Sequence, residues 1–405
     1  MVEQVATIEE HETDVEVETA RRGRVDTLIV DADAHVNPAH DMWVDYLPES
    51  LRHLAPVIEH GEDADYVVFE GRRRKVNLIN AQGGRKGKDF KMEGRIKDAR
   101  SGGWMPAARL KDMDTDGMDV AVLFGGGPLG TANNQLYLES FEAYNRWLAD
   151  FCAYDPKRFA GVGYVPMQDV DMAIATMREC AKKGLKAINI PAFPMNPQGS
   201  LNGGTSAPDQ QTRALTGDVD GDRSYADPEF DPFWKAACDL GMPITIHLGG
   251  RPVRFTQPKW FLSDLLMSKF AMGETIAIMI YGGVFDRFPD LKLVSVESGV
   301  GWFAFAANYM DETWQKQRFW INSTIEHTPS YYWDKNIYGS FIHDRAGIMM
   351  RDFPGAKNIM WSSDYPHSET TFPHSQDVIE KLFEGVPIAD RDMILGGRAK
   401  ALFKL

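Results

Sequence analysis

The feature that most constrains this chain is an alternation of short apolar runs with amphipathic stretches, repeated eight times after residue 25. The runs are "LIVDADAHV" (28–36), "GMDVAVLFG" (117–125), "RFAGVGYVPM" (158–167), "LKAINIP" (185–191), "MPITIHLGG" (242–250), "LKLVSVESG" (291–299), "IYGSFIHD" (337–344) and "KNIMWSSDYPH" (357–367). Their apolar cores are nearly unbroken, as strands buried on both faces require. Helix-like stretches lie between them, at 135–154, from Asp169 to about Lys183, at 227–241 with Gly241 as the stop, at 261–287 and over 300–317. Strands alternating with helices make a parallel sheet. Eight units suggest a (β/α)8 barrel, and an open doubly wound sheet is the other α/β solution. "GGGPLG" (125–130) formally matches a dinucleotide-binding GxGxxG. The acid at the right distance, Asp150, falls within a helix instead of ending a strand, so the run reads as a turn and helix entry.

Two insertions interrupt the alternation. Residues 50–108 follow the first strand and contain "DYVVFEGRRRKVNL", which reads as a β-hairpin. Residues 192–226 follow the fourth strand and are irregular and rich in Pro, Gly and Ser. Both follow the C-terminal end of a strand, where barrels do their chemistry, so both read as lids or subunit contacts. The predicted organisation is an acidic arm over 1–24, expected to be disordered, and one barrel domain over 25–405.

Charge narrows the partners. Of the net −14, seven acids and no Lys or Arg lie in residues 1–20. Residues 71–100 are the opposite, with eleven Lys or Arg against Asp89, Glu93 and Asp98. That stretch has a single aromatic, Phe90, and the protein as a whole is acidic, so nucleic-acid binding is not expected. A solvated loop or a contact to an acidic surface fits better. No run of 18 uninterrupted apolar residues suggests a membrane span. Three scattered cysteines, Cys152, Cys180 and Cys238, suggest no disulfide framework and point to the cytoplasm.

Polar residues collect at the strand ends. Asp31, Asp33 and His35 end the first strand, and strict alternation puts all three on one face. His247 ends the fifth strand, Glu297 the sixth, His343 the seventh, and Asp364 with His367 the eighth. Unpaired, such groups cost several kcal/mol each to bury, roughly, and a bound metal ion is one answer. Imidazoles with carboxylates and no thiolate suit Zn²⁺, Mn²⁺ or Fe²⁺.

D-x-D-x-H on strand one, "ITIHLGG", "FPDLKLVSVESGVGW", "WSSDYPH" and the closing "ILGGRAKALFKL" together resemble the amidohydrolase superfamily. The likeness runs from about Val25 to Leu405 and is nearest the amidohydrolase-related branch that includes aromatic-acid decarboxylases. It implies a distorted TIM barrel with one or two divalent metals per chain. Asp33 and His35 match that family's strand-one ligands, His247 its strand-five ligand, and Asp364 its strand-eight aspartate, both ligand and general base. His367 and Glu297 complete the expected metal set. Glu297 stands where relatives carry histidine. It is read as binding a second metal or facing substrate, with a buried ion pair to an arginine such as Arg251 as the alternative. In a decarboxylase, His343 is the candidate acid that protonates carbon. Arg251 and Arg254 are candidates to clamp a substrate carboxylate, with surface or subunit contact as the other reading.

The reading is therefore a metal-dependent enzyme acting on a small organic acid or amide by hydrolysis or non-oxidative decarboxylation. The rival readings are a dinuclear non-heme iron or manganese monooxygenase on the same fold, and a metal-bearing partner subunit of such an enzyme. The expected assembly is a homo-oligomer or a hetero-oligomer with a homologous chain.

Overall fold

The computed structural model describes residues 24–38, 41–85, 87–195, 216–218, 221–247 and 259–405. The arm expected over 1–24 therefore lies almost wholly outside the described residues, as do much of 192–226 and both Arg251 and Arg254. All eight expected strands are present. The first is β1 (Val30–Val36), and the insertion after it carries β2 (Val57–His60), β3 (Asp65–Phe69), β4 (Arg72–Asn77) and β5 (Glu93–Gly94). The remaining barrel strands are β6 (Val120–Gly125), β7 (Phe159–Tyr164), β8 (Ala187–Asn189), β9 (Ile244–His247), β10 (Leu293–Val296), β11 (Ile337–Phe341) and β12 (Ile359–Trp361). They lie side by side in chain order, every neighbouring pair parallel.

Between β12 and β1 the barrel closes without a regular ladder. Beyond the end of β12, the Asp364 N–H donates to the Asp33 carbonyl at 3.0 Å, and the His35 N–H donates to the Tyr365 carbonyl at 2.6 Å. This seam brings the D-x-H of strand one against the SSDYPH of strand eight.

Two apolar layers hold the barrel. Val30, Ala32, Val122, Phe124, Val162, Val294, Val296 and Met360 fill the inside, with Leu402 and Phe403 of the C-terminal helix packed against them. Ile29, Ala34, Val36, Leu123, Ile188, Ile246, Phe341 and Trp361 face the surrounding helices. The helices start and stop where local chemistry asks. Asn133 caps Asn134–Ala153 through the Leu136 N–H at 3.0 Å, and Asp169 caps Val170–Lys182 through the Met172 N–H at 2.9 Å. Gly241, at φ 59°, ends Asp231–Leu240 in the left-handed conformation that glycine adopts without a Cβ clash.

The assignment of Asp31, Asp33 and His35 to one face is overturned. Val30 and Ala32 point into the barrel, but Ala34 and Val36 point out. The pairing of β1 with β6 shifts register between Asp31 and Ala34, the signature of a bulge. The extra residue reverses the alternation, so Asp33 and His35 face the barrel axis and Asp31 faces the helices.

The 50–108 insertion forms the expected hairpin, turning at Glu70 and Gly71, both at positive φ, within a four-stranded antiparallel sheet. It leans on the C-terminal ends of β1, β6 and β12. Asn37 Nδ2 donates to the Asn80 carbonyl at 2.7 Å, the Gly83 N–H to the Pro366 carbonyl at 2.9 Å, and the Ala132 N–H to the Glu70 carboxylate at 3.2 Å. Its positive charge is partly paired internally, Arg73 with Glu59 at 2.8 Å and Lys75 with Asp63 at 2.7 Å. No helix of the described residues is long and apolar enough to cross a membrane.

Candidate metal centre

The bulge in β1, the closing seam and the ends of β9 and β10 converge on one point. Asp33, His35, His247 and Glu297 each offer a donor atom within 4.8 Å of the others. His35, Asp364 and His367 form an overlapping group, and Glu297, Asp364 and Glu369 a third, on the same criterion. His247 Nε2 lies 3.3 Å from Asp33 Oδ1 and 3.7 Å from Glu297 Oε2. The His35 ring meets that of His247 edge-on at 4.9 Å and that of His367 at 4.4 Å. Phe124 forms the apolar floor, its ring 5.1 Å from His247.

Glu297 and Asp364 share a backbone peculiarity. Their φ angles are 57° and 59°, left-handed values that non-glycine residues rarely adopt. Such strain persists where the surroundings impose it, and it gathers at functional sites. Glu297 directly follows the end of β10, and Asp364 lies three residues past the end of β12, so both turn where their strands have ended.

The donors fit a cation. Asp33 Oδ2, His35 Nε2, Glu297 Oε2 and both oxygens of Asp364 are buried without a hydrogen-bond partner. His35 Nε2 is 3.0 Å from Asp364 Oδ1, yet the two do not meet in hydrogen-bond geometry. Buried polar atoms are almost always paired. Several unpaired acceptors aimed at one space are what a set of metal ligands looks like. The donors are oxygen and imidazole nitrogen throughout, as Zn²⁺, Mn²⁺ or Fe²⁺ prefer.

Electrostatics agree. Burial pushes His35 down to about 4 and lowers His367 as well, so both imidazoles stay neutral, as ligands must. Burial works to raise Asp33, but the His247 imidazole outweighs it and holds the carboxyl low; His247 rises against its own burial for the reciprocal reason. Burial raises Asp364 well above the usual carboxylate range, with Glu297 and Asp33 adding to the push. A cation would reverse that penalty.

Among the described residues Glu297 has an ionic partner, and it is a lysine; Arg251 lies outside them. Lys269, on the helix Phe261–Tyr281, places Nζ 3.0 Å from Glu297 Oε1 and 3.3 Å from Glu369 Oε2. Burial alone would raise Glu297, but the Lys269 ammonium together with His247 and His367 outweighs it and holds the carboxyl low. Lys269 and Glu369 were missed in the sequence, because a lysine within an amphipathic helix and a glutamate in a loop carry no local signal. His343 stands apart from the cluster. It is exposed two residues past β11, on the rim of a cavity of about 480 Å³ shared with Lys269, Glu297, Trp302 and Glu369.

Asp31, on the other side of β1, joins a different buried group. Its Oδ1 accepts from the Ser363 N–H at 2.8 Å, and Oδ2 from the Ser363 hydroxyl. Nearby, Arg100 pairs with Asp112 at 2.5 Å, and the Tyr365 hydroxyl donates to the same carboxylate. Arg109 is fully buried, its guanidinium 4.3 Å above the Tyr365 ring, and donates to the His35 carbonyl at 2.8 Å. This cluster grips the backbone of the strand whose other face carries the candidate ligands.

Comparison with known proteins places the chain. It is 25% identical over 315 residues to 2-amino-3-carboxymuconate-6-semialdehyde decarboxylase of Dictyostelium discoideum, covering 75% of this chain and 78% of the relative. An amidohydrolase structure from Mycobacterium avium subsp. paratuberculosis K-10 superposes with a TM-score of 0.70 at 20% identity, covering 94% of this chain and all of the other. A manganese-bound dihydroxybenzoic acid decarboxylase from Polaromonas sp. JS666 superposes at 0.63 and 18% identity, covering 94% and 97%. The family model described as Amidohydrolase matches residues 30–405, from the first barrel strand to the last residue, and the chain belongs to that family.

Proposed function

We propose that this protein is a metal-dependent decarboxylase that releases CO2 from a small hydroxylated aromatic or muconate-type acid without oxidation. The observation that supports it is the set of buried, unpartnered carboxylate and imidazole atoms at the barrel mouth. The relatives that are decarboxylases set the reaction class. Asp33, His35 and His247 would hold the ion, with Asp364, His367 and Glu297 as the neighbouring candidate ligands. A divalent cation there supplies positive charge that binds substrate oxygens and draws electron density from the bond to be broken.

The protein's own groups do the rest. The carbon–carboxylate bond breaks, CO2 leaves, and the electron pair stays on carbon, which takes one proton. Asp364 moves that proton to carbon. His343, at the rim of the adjoining cavity, exchanges it with solvent. Phe270, Trp302 and Phe341 line that cavity with apolar surface, and Lys269 and Glu297 with charge, a mixture that suits a small planar acid.

The test is CO2 release by the Mn²⁺-loaded chain from dihydroxybenzoic acids and 2-amino-3-carboxymuconate-6-semialdehyde, with and without oxygen. Release from at least one substrate, equal in both atmospheres and abolished by chelator, is expected. Turnover that consumes oxygen would replace this reading with the monooxygenase one.

We also propose a second copy of this chain as partner. Leu262, Leu266, Phe305, Tyr309, Phe319 and Trp320 are each more than half exposed, which is unusual for large apolar side chains on a monomer. Light scattering should give a mass of at least two chains, and Trp320→Glu should lower it.

A further inference from the structure

We infer that Lys269 is the resident cation of the Glu297–Asp364–Glu369 group and keeps that group closed to a metal ion. The inference rests on reading the mouth as a metal centre, and it concerns a different part of that mouth. The three carboxylates each present an oxygen within 4.8 Å of the others, an all-oxygen donor set of the kind that takes Mg²⁺ or Mn²⁺. Glu297 and Asp364 are 3% and 0% exposed, and Glu297 Oε2 and both Asp364 oxygens lack hydrogen-bond partners. By donor type and burial the group is a second metal site waiting for an ion.

Lys269 occupies it instead. Its ammonium lies 3.0 Å from Glu297 Oε1 and 3.3 Å from Glu369 Oε2, and its side chain is 21% exposed. The residue sits near the middle of a 21-residue helix, so the charge is delivered by a covalent tether from a regular element and cannot diffuse away. A divalent ion entering the same oxygens would meet a fixed positive charge and would have to break both hydrogen bonds. Glu297 is thereby divided. Oε1 belongs to the lysine, and Oε2 faces His247 at 3.7 Å. Lys269 thus orients Glu297 toward the histidine-bearing groups and confines metal binding to them.

The experiment counts metal and needs no substrate. Native protein, Lys269→Met, Lys269→Gln, Lys269→Arg and Lys269→Met/Glu369→Gln are stripped, titrated with Mn²⁺ and assayed by elemental analysis and paramagnetic resonance. Methionine keeps the length of the stem without its charge, and glutamine is the alternative neutral variant if methionine does not fold. One additional Mn²⁺ per chain is expected in the folded neutral variants, with a spectrum broadened by coupling between neighbouring ions. Lys269→Arg and the double variant should return to the native count. An unchanged or lower count in a folded neutral variant overturns the inference, the lower count making Lys269 a support of the histidine groups instead. Native protein that takes up no Mn²⁺ at all would overturn the metal-centre reading, while the decarboxylase reading stands or falls on CO2 release.

Discussion

Asp31 and Asp33 are two residues apart on one strand, and both are buried, at 2% and 0% exposure. Their surroundings differ in one respect that decides their roles. Both oxygens of Asp31 are hydrogen-bonded, by the backbone and hydroxyl of Ser363. Asp33 has an imidazole near one oxygen and nothing on the other. A carboxylate satisfied by the protein is part of its architecture, and one left unsatisfied marks a place for something that arrives from outside. The same contrast separates the two buried polar clusters on either side of β1. Asp112 and Asp116 accept from Arg100, Tyr365 and Ser375 on the helix side, while the Asp364 carboxylate has no hydrogen-bond partner on the axis side.

The contrast breaks most visibly if His247 is removed. His247→Ala should lower metal affinity and turnover by more than about 100-fold, the upper range for losing only a supporting group around a metal. Metal analysis after dialysis checks it, and a variant with native metal content would take His247 out of the ligand set. The next largest effect is on stability. Mn²⁺ at about 1,000 times its dissociation constant should stabilise the native protein by roughly 4 kcal/mol, raising the melting temperature. Asp33→Asn should lose most of that gain, and Asp31→Asn should keep it.

Asp31→Ala should do the opposite of a ligand change. It strands the two Ser363 donors, costing about 1–3 kcal/mol in denaturant unfolding, while metal content per folded chain stays native. Reduced metal content in that folded variant would erase the distinction between the two faces.

The smallest expected effect is a pH slope. Burial pushes Asp31 up to about 7, against the Ser363 hydrogen bonds that lower it, and pushes Asp116 up to about 6. Each folded-state value lies above the unfolded one, near 3.8. The folded protein therefore holds more protons across this window. The resulting stability is present below pH 4 and is lost as pH rises through 6 and 7. Asp116→Asn should flatten part of that slope between pH 4 and 7, by up to about 2 kcal/mol. A slope equal to the native one, measured by unfolding at several pH values in the metal-free protein, would show that Asp116 is not buried as an acid.

The long apolar runs and their eightfold alternation with helices determined a parallel α/β sheet from sequence alone, because burial on both faces of a strand is written in consecutive residues, while its closure into a barrel was decided by the seam between strands eight and one. The helix ends were equally local. Asn133, Asp169 and Gly241 act within one turn of where they stand. The candidate ligands were legible for a related reason. Asp33, His35, His247, Glu297, Asp364 and His367 are polar interruptions at strand ends, and a barrel gathers all such ends on one face. Tertiary structure decided what periodicity cannot carry. The bulge that turns Asp31 away from Asp33 depends on pairing with a strand about 90 residues later. The choice of Lys269 as partner of Glu297 depends on how a helix lies over the mouth, since a lysine's charge acts through space over a few ångströms, at a distance that sequence separation does not record.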